Sequence, residues 1–243
     1  MSKVVIVTGG SRGIGAATSL LLGAKGYAVC VNYRANRECA EKVVATIMQN
    51  GGNAFACQAD VSREADVINL FDATEERLGS VTHLVNNAGV LFAQSRLADI
   101  DLERFNRVLK SNVISCFLCS KEAIKRLQPG SAIVNVSSRA AQTGSPFEYI
   151  DYAASKGAMD SLTKGLSIEV AASGIRVNAV RPGFIYTDMH ADGGEPGRVD
   201  RLAPQIPMQR GGSADEVAHT IAWLLSEEAS YVTGAFIDVA GGR

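Results

Sequence analysis

Tyr152 and Lys156 stand four residues apart at the start of a long helix-forming run, Asp151-Tyr152-Ala153-Ala154-Ser155-Lys156. On a helix that spacing puts both side chains on one face, one turn apart. A neighbouring ammonium favours phenolate over phenol, so the pattern predicts a Tyr152 pKa below the ordinary tyrosine value. A phenol tuned in this way exchanges a proton with a substrate oxygen. Of the six tyrosines, only Tyr152 has Lys at the fourth position after it. The competing reading is a solvated helix face that carries a spare lysine.

A second group of residues is suited to holding phosphate. The apolar run Lys3–Val7 leads into Thr8-Gly9-Gly10-Ser11-Arg12-Gly13-Ile14-Gly15, and a helix is expected from Ala16 to about Lys25. A strand, a Gly-rich turn and a helix N-terminus together present free N–H groups and a positive dipole end. By analogy with the dinucleotide fingerprint, Gly9 makes the tight turn, Gly13 admits the pyrophosphate and Gly15 allows close helix–strand packing. The spacing is G-x-x-x-G-x-G rather than G-x-G-x-x-G. Ser11, Arg12 and Ile14 complete this contact set. The next strand, Ala28–Tyr33, ends in Asn32-Tyr33-Arg34, where an NAD site would place an acid. Arg12 and Arg34 suit a ribose 2′-phosphate instead, and at the strength of charged hydrogen bonds they predict at least about tenfold preference for NADP. Two solvated surface arginines are the alternative.

The same strand–helix alternation positions both groups. Helices are expected at about 36–49, 63–78, 102–127, 152–172 and 213–225, and strands at 54–58, 82–86, 131–136, 175–180 and 235–239. Asp60 and Val61, just past the third strand, are placed for the adenine edge, and Asp60 or Ser62 for capping the following helix. The pattern implies right-handed βαβ crossovers. The fold class is α/β: a Rossmann-like, doubly wound parallel sheet of about seven strands with helices on both faces, residues 1–243 forming one domain. Residues 188–210 are rich in Gly and Pro, with a short helix near 198–202, and suit a substrate lid.

Composition narrows the function. The chain has 243 residues, 47% hydrophobic and 20% charged, with net charge −1. That balance gives no reason to expect nucleic-acid or anionic-membrane partners. No apolar run is long enough to span a bilayer and the first residues lack a signal peptide's cleavage region, so a cytoplasmic location is expected. The five cysteines do not read as a disulfide framework, and Cys116 and Cys119, although spaced C-x-x-C, read as buried small hydrophobes. His83, His190 and His219 form no ligand pattern, and no metal is expected.

Taken together, Thr8-Gly9-x-x-x-Gly13-x-Gly15, Asn86-Asn87-Ala88-Gly89, Ser138, Tyr152-x-x-x-Lys156 and Pro182-Gly183 followed by Thr187 resemble the short-chain dehydrogenase/reductase family, in its order and from Thr8 to the final Asp238–Gly242. The resemblance implies further roles. Asn87, Ala88 and Gly89 pack against the adenosine and support the sheet. Asn112 holds a water linking Lys156 to solvent; a polar residue bridging a helix kink is the alternative. Ser138 holds the substrate oxygen, and Lys156 binds the nicotinamide ribose. Pro182, Gly183, Ile185 and Thr187 meet the nicotinamide. It also implies a homotetramer or homodimer paired through the 102–127 and 152–172 helices, and NADP(H)-dependent interconversion of a carbonyl and a secondary alcohol on a small molecule. Within the family the chain is similar to 3-oxoacyl-[acyl-carrier-protein] reductases and to glucose or polyol dehydrogenases. Arg126 is a candidate for meeting an acidic carrier protein, while Ser173 stands where such reductases often carry Arg. Ser138 and Tyr152 are fourteen positions apart, one more than in many members, which places an insertion within 143–151. A non-catalytic NADPH-binding regulator is the reading from another class.

Overall fold

The computed structural model describes residues 3–243. Seven parallel strands form one sheet in the order β3-β2-β1-β4-β5-β6-β7. They are β1 (Val4–Val7), β2 (Ala28–Tyr33), β3 (Asn53–Gln58), β4 (His83–Asn86), β5 (Ala132–Val136), β6 (Arg176–Pro182) and β7 (Phe236–Val239). The first half of the chain supplies α1 (Gly13–Ala24), α2 (Arg37–Gln49), α3 (Glu64–Leu78), α4 (Leu102–Leu109) and α5 (Ser115–Ile124). The second half supplies α6 (Ala140–Thr143), α7 (Ile150–Glu169), α8 (Met189–Asp192), α9 (Arg198–Leu202) and α10 (Ala214–Leu225).

The central strands β1, β2, β4 and β5 bury both faces, as their apolar runs required, whereas the edge strands β3 and β7 are partly exposed. In β1, Val5 and Val7 pack toward α1, α2 and α10, and Ile6 toward α3, α5 and the end of α7. The period-2 alternation of side chains divides the interior into these two layers. A polar chain crosses the second layer. Asn86 Nδ2 on β4 donates to Asn135 Oδ1 on β5 at 2.9 Å, and Asn135 Nδ2 donates to Thr163 Oγ1 on α7 at 2.8 Å. Asn135 and Thr163 are fully buried, so these groups hold β4, β5 and α7 in one register.

Strand order reverses between β1 and β4, and the crevice beyond their C-terminal ends is where such sheets bind ligands. The helix expected over 102–127 is α4 and α5 joined by a π-turn at Lys110–Ile114, which carries Asn112. The capping box of Ser213 and Glu216 forms at the start of α10. The expected short helix is α9, and α8 is an additional turn of helix in the same segment. All five cysteines are free, with Cys116 and Cys119 buried on α5. Among the described residues, no helix is long and apolar enough to cross a membrane.

Candidate active site

The Gly-rich turn is held to the neighbouring strand ends by side chains. Thr8 Oγ1 accepts from the backbone N–H groups of Asn87 and Ala88, each at 3.0 Å. Asn87 Nδ2 donates to the carbonyls of Thr8 and Gly9, again at 3.0 Å. Gly9 has φ +59°, a conformation open chiefly to glycine. A Cβ on Gly15 would stand 2.2 Å from the Gly9 carbonyl oxygen and 2.5 Å from Asn87 Nδ2. The loop's own backbone therefore requires this glycine; the close contact is not the helix–strand packing expected from the fingerprint. Helix α1 starts at Gly13, with Arg12 as an uncapped N-cap. Its first N–H groups are thus left for an anion.

A groove of about 300 Å³ runs over this loop. Fourteen of the expected cofactor contacts line it: Gly9, Ser11, Arg12, Gly13 and Ile14 from the loop, Asn32, Tyr33 and Arg34 from the end of β2, and Asp60, Val61, Asn87, Ala88, Gly89 and Thr187. Asn32 is largely committed to the protein: its Oδ1 accepts from the Gly9 N–H at 3.2 Å, and its Nδ2 donates to the Cys57 and Ala59 carbonyls. It braces the loop against β3. Asp60 accepts from the N–H and hydroxyl of Ser62 at 3.1 and 2.7 Å. Neither residue caps α3, whose N-cap is Arg63 without a side-chain bond. The Asx turn stays local because Asp60 lies two residues before Ser62 and not at the helix start. Arg34 makes no ion pair among the described residues, whereas Arg12 reaches Asp192 on α8 at 3.4 Å, across the groove.

Ile14, Asn87, Gly89 and Thr187 also border a second cavity of about 460 Å³, so the two spaces are continuous. Ser138, Tyr152, Lys156, Pro182, Gly183 and Ile185 line this second space. Ser138 follows β5, and Tyr152 and Lys156 project from the first turns of α7. Lys156 is 3% exposed, and its Nζ donates to the Val136 carbonyl at 2.7 Å. It lies 5.5 Å from the centre of the Tyr152 ring. Burial lowers the Lys156 pKa to about 8, against weaker upward pulls from Cys116 and Asp160.

The pKa expected for Tyr152 is corrected here. Burial pushes it up to about 12, and the Ser138 hydroxyl beside the phenol offsets only part of that rise. Lys156 is directed at the Val136 carbonyl, and burial of the phenol outweighs the effect that the sequence spacing suggested. At neutral pH the phenol is therefore in its protonated form.

Asn112 is fully buried in the π-turn. Its Oδ1 accepts from the Val90 N–H at 2.8 Å, and its Nδ2 donates to the Val90 carbonyl and to Ser155 Oγ at 3.2 and 3.0 Å. Its side chain thus fastens the segment after β4 to α7. The insertion between Ser138 and Tyr152 is absorbed in a loop with left-handed residues at Gly144, Ser145 and Phe147. That loop brings Glu148 and Tyr149 into the second cavity, beside Arg139, Phe184 and Arg243. Sequence reasoning placed the 143–151 loop at the substrate site and Phe184 at the nicotinamide, without singling out Glu148, Tyr149, Arg139 or Arg243.

Residues 9–243 match the family model described as enoyl-(acyl carrier protein) reductase. The chain is 60% identical to the uncharacterized oxidoreductase YgfF of Escherichia coli (strain K12) over 245 residues, covering 99% of each chain. It is 39% identical to a 3-oxoacyl-[acyl-carrier-protein] reductase of Synechocystis, covering 99% of this chain and 96% of that one. It is 37% identical to glucose 1-dehydrogenase 2 of Bacillus subtilis, covering 99% and 94%. A solved short chain dehydrogenase from Burkholderia cenocepacia, in complex with NADP, superposes with TM-score 0.92 at 36% identity, covering 99% of this chain and 97% of that one.

Proposed function

The chain belongs to the short-chain dehydrogenase/reductase family, and from that premise we propose that it is an NADP(H)-dependent oxidoreductase interconverting a carbonyl and a secondary alcohol. One observation carries this reading. Ser138, Tyr152 and Lys156 line a cavity that shares a wall with a phosphate-suited groove, and that groove ends at Arg34, which makes no ion pair among the described residues.

The bound cofactor supplies or accepts the hydride at the substrate carbon. The protein supplies the rest. The loop Gly9–Gly15 and the start of α1 hold the pyrophosphate, and Arg34, with Arg12, takes the 2′-phosphate. Tyr152, protonated at neutral pH, gives its proton to the carbonyl oxygen, and Ser138 donates to the same oxygen as charge builds there. Lys156 has no carboxylate partner within ion-pair distance among the described residues, which leaves its donors for the nicotinamide ribose. The π-turn at Lys110–Ile114 interrupts the regular helix ladder at Asn112, a feature often found at functional sites. The relay water belongs there, since the Asn112 side chain is already engaged. Residues 188–210 act as the substrate lid over a domain formed by the whole chain.

The carrier-protein reading loses its basic anchor. Arg126 is bonded to Asp72, Glu75 and Glu122 at 2.8, 2.8 and 2.6 Å and lies over the Phe71 ring. Its charge is spent within the α3–α5 surface.

The test is cofactor consumption over a panel of small carbonyls that includes an acetoacetyl thioester. NADPH should be used at least about tenfold more efficiently than NADH, and Arg34→Ala should remove most of that preference, at the strength of one charged hydrogen bond. Equal use of both cofactors by the wild type would overturn the 2′-phosphate assignment.

A pH dependence follows from Lys156. NADPH favours its charged form, and that charge is lost as pH rises through about 8. The Kd for NADPH should therefore increase above pH 8, by at most about tenfold per pH unit. Lys156→Met should flatten the profile in a fluorescence titration. A wild-type Kd constant from pH 7 to 9.5 would rule out the ribose role.

A further inference from the structure

Three polar atoms on residues lining the substrate cavity have no partner among the described residues: Arg139 Nε, whose guanidinium is otherwise paired with Asp238, and two uncharged ones. The Tyr149 hydroxyl and Nδ1 of His190 are enclosed and unbonded, and both side chains line the cavity that contains Ser138 and Tyr152. Tyr149 is 3% exposed. Leaving an enclosed polar group unbonded is destabilising, so such groups mark positions that a ligand completes.

The two atoms differ in what they offer. His190 Nε2 lies 3.1 Å from the Ile185 carbonyl oxygen. A carbonyl only accepts, so Nε2 carries the proton and Nδ1 presents a lone pair. Burial, then the charge of Arg198, lowers the His190 pKa, and the ring stays neutral at pH 7. The Tyr149 hydroxyl, by contrast, has a proton to give.

Arg198 holds this arrangement in place. Its guanidinium bonds both carboxylate oxygens of Glu148, at 3.0 and 2.5 Å. It lies 4.9 Å from the centre of the Tyr149 ring and 5.4 Å from that of Phe184. It is 4% exposed, so the ion pair fastens α9 to the loop before α7 from within.

Resting on the reading of this site as a carbonyl–alcohol oxidoreductase, we propose that Tyr149 and His190 are its specificity-determining residues, and that the substrate is a small hydroxylated ketone or aldehyde. A hydroxyl accepts from Tyr149 and donates to His190 Nδ1, which satisfies both atoms. A thioester has no donor for Nδ1, and a carboxylate offers only acceptors. Most of the cavity's arginines are already paired: Arg139 with Asp238, Arg198 with Glu148 and Glu195, and Arg201 with Glu195. Arg243, against the Phe184 ring, is the remaining arginine of the cavity wall, and Lys156 is the cation beside Tyr152.

The experiment uses one carbon skeleton. NADPH-dependent kcat/KM is measured for butan-2-one, for its 1-, 3- and 4-hydroxy derivatives, and for 3-oxobutanoate. The wild type should favour at least one hydroxy ketone over butan-2-one by about tenfold, the worth of two neutral hydrogen bonds to a fixed site. In Tyr149→Phe, which removes a single unbonded atom and leaves the fold intact, that ratio should fall several-fold; His190→Phe should lower it as well. Equal efficiencies across the ketones, an unchanged ratio in both variants, or a preference for 3-oxobutanoate would each overturn the proposal while leaving the oxidoreductase reading in place. Failure to reduce any of the five compounds, or any other carbonyl, with NADPH still binding, would remove that reading and this inference with it.

Discussion

Replacing Tyr152 by Phe is expected to lower the turnover of carbonyl reduction by about 10²–10⁴-fold, the range for losing a general acid, while NADPH binds nearly as before. The phenol lies in the cavity beside Ser138, with its pKa pushed up to about 12 by burial. At pH 7 it is therefore almost wholly protonated and serves reduction directly. In oxidation the phenolate must form first, so the alcohol-oxidising rate should climb with pH. Phenylalanine keeps the ring and its packing beside Lys156 and removes only the transferable proton. Single-turnover absorbance at the nicotinamide band separates the chemical step from binding, which a parallel fluorescence titration measures. Retained turnover in Tyr152→Phe would overturn the assignment. Tight NADPH binding by the wild type with no turnover on a broad carbonyl panel would instead favour the regulator reading.

Arg104→Ala should be the most destabilising single change near the site. Asp151, in the first turn of α7, is 1% exposed. Its two oxygens accept from Arg104 Nε and Nη2 at 2.7 and 3.4 Å. Oδ1 also accepts from the Tyr152 N–H at 2.9 Å. Removing Arg104 leaves a buried carboxylate beside the catalytic phenol. Breaking one side of such a pair costs about 3–5 kcal/mol, and the N-terminus of α7 offsets some of it. About 3 kcal/mol would lower Tm by roughly 6–12 °C in a chain of this size. Calorimetry on the variant, with Arg104→Ala/Asp151→Asn as its partner, reads the effect. The double variant should recover most of the loss, because a neutral amide no longer demands a cation. A single variant that melts like the wild type would show that Asp151 does not depend on Arg104.

Much of this was legible in the sequence, and what was not has a physical cause. Apolar runs of strand length alternating with amphipathic stretches identified all seven strands, most plainly the central ones, because a strand buried on both faces has few polar positions to obscure it. The bounds of β2 and α9 agree to the residue. The Gly-rich turn and the Tyr152–Lys156 pair stand out in the sequence because each is a short local spacing, whereas Ser138 rested on the family resemblance. Tyr152's pKa was not, because burial outweighs the neighbouring ammonium and burial is a property of the whole fold. Asn32 and Asn112 read as ligand contacts, yet their side chains mainly brace the Gly-rich loop and the segment after β4. Glu148, Tyr149, Arg198 and Phe184 meet only because two irregular segments fold over the same crevice, and no local periodicity encodes that meeting.

The buried chain from Asn86 through Asn135 to Thr163 also constrains how the sequence can drift. Each member uses its neighbour to satisfy a polar atom shut away from water. One apolar replacement strands the next residue, whereas matched apolar replacements of the whole row remove the debt together. Substitutions at these three positions are therefore epistatic. A lineage crosses from one state to the other only through a less stable intermediate, so the row should pass between descendants as a block.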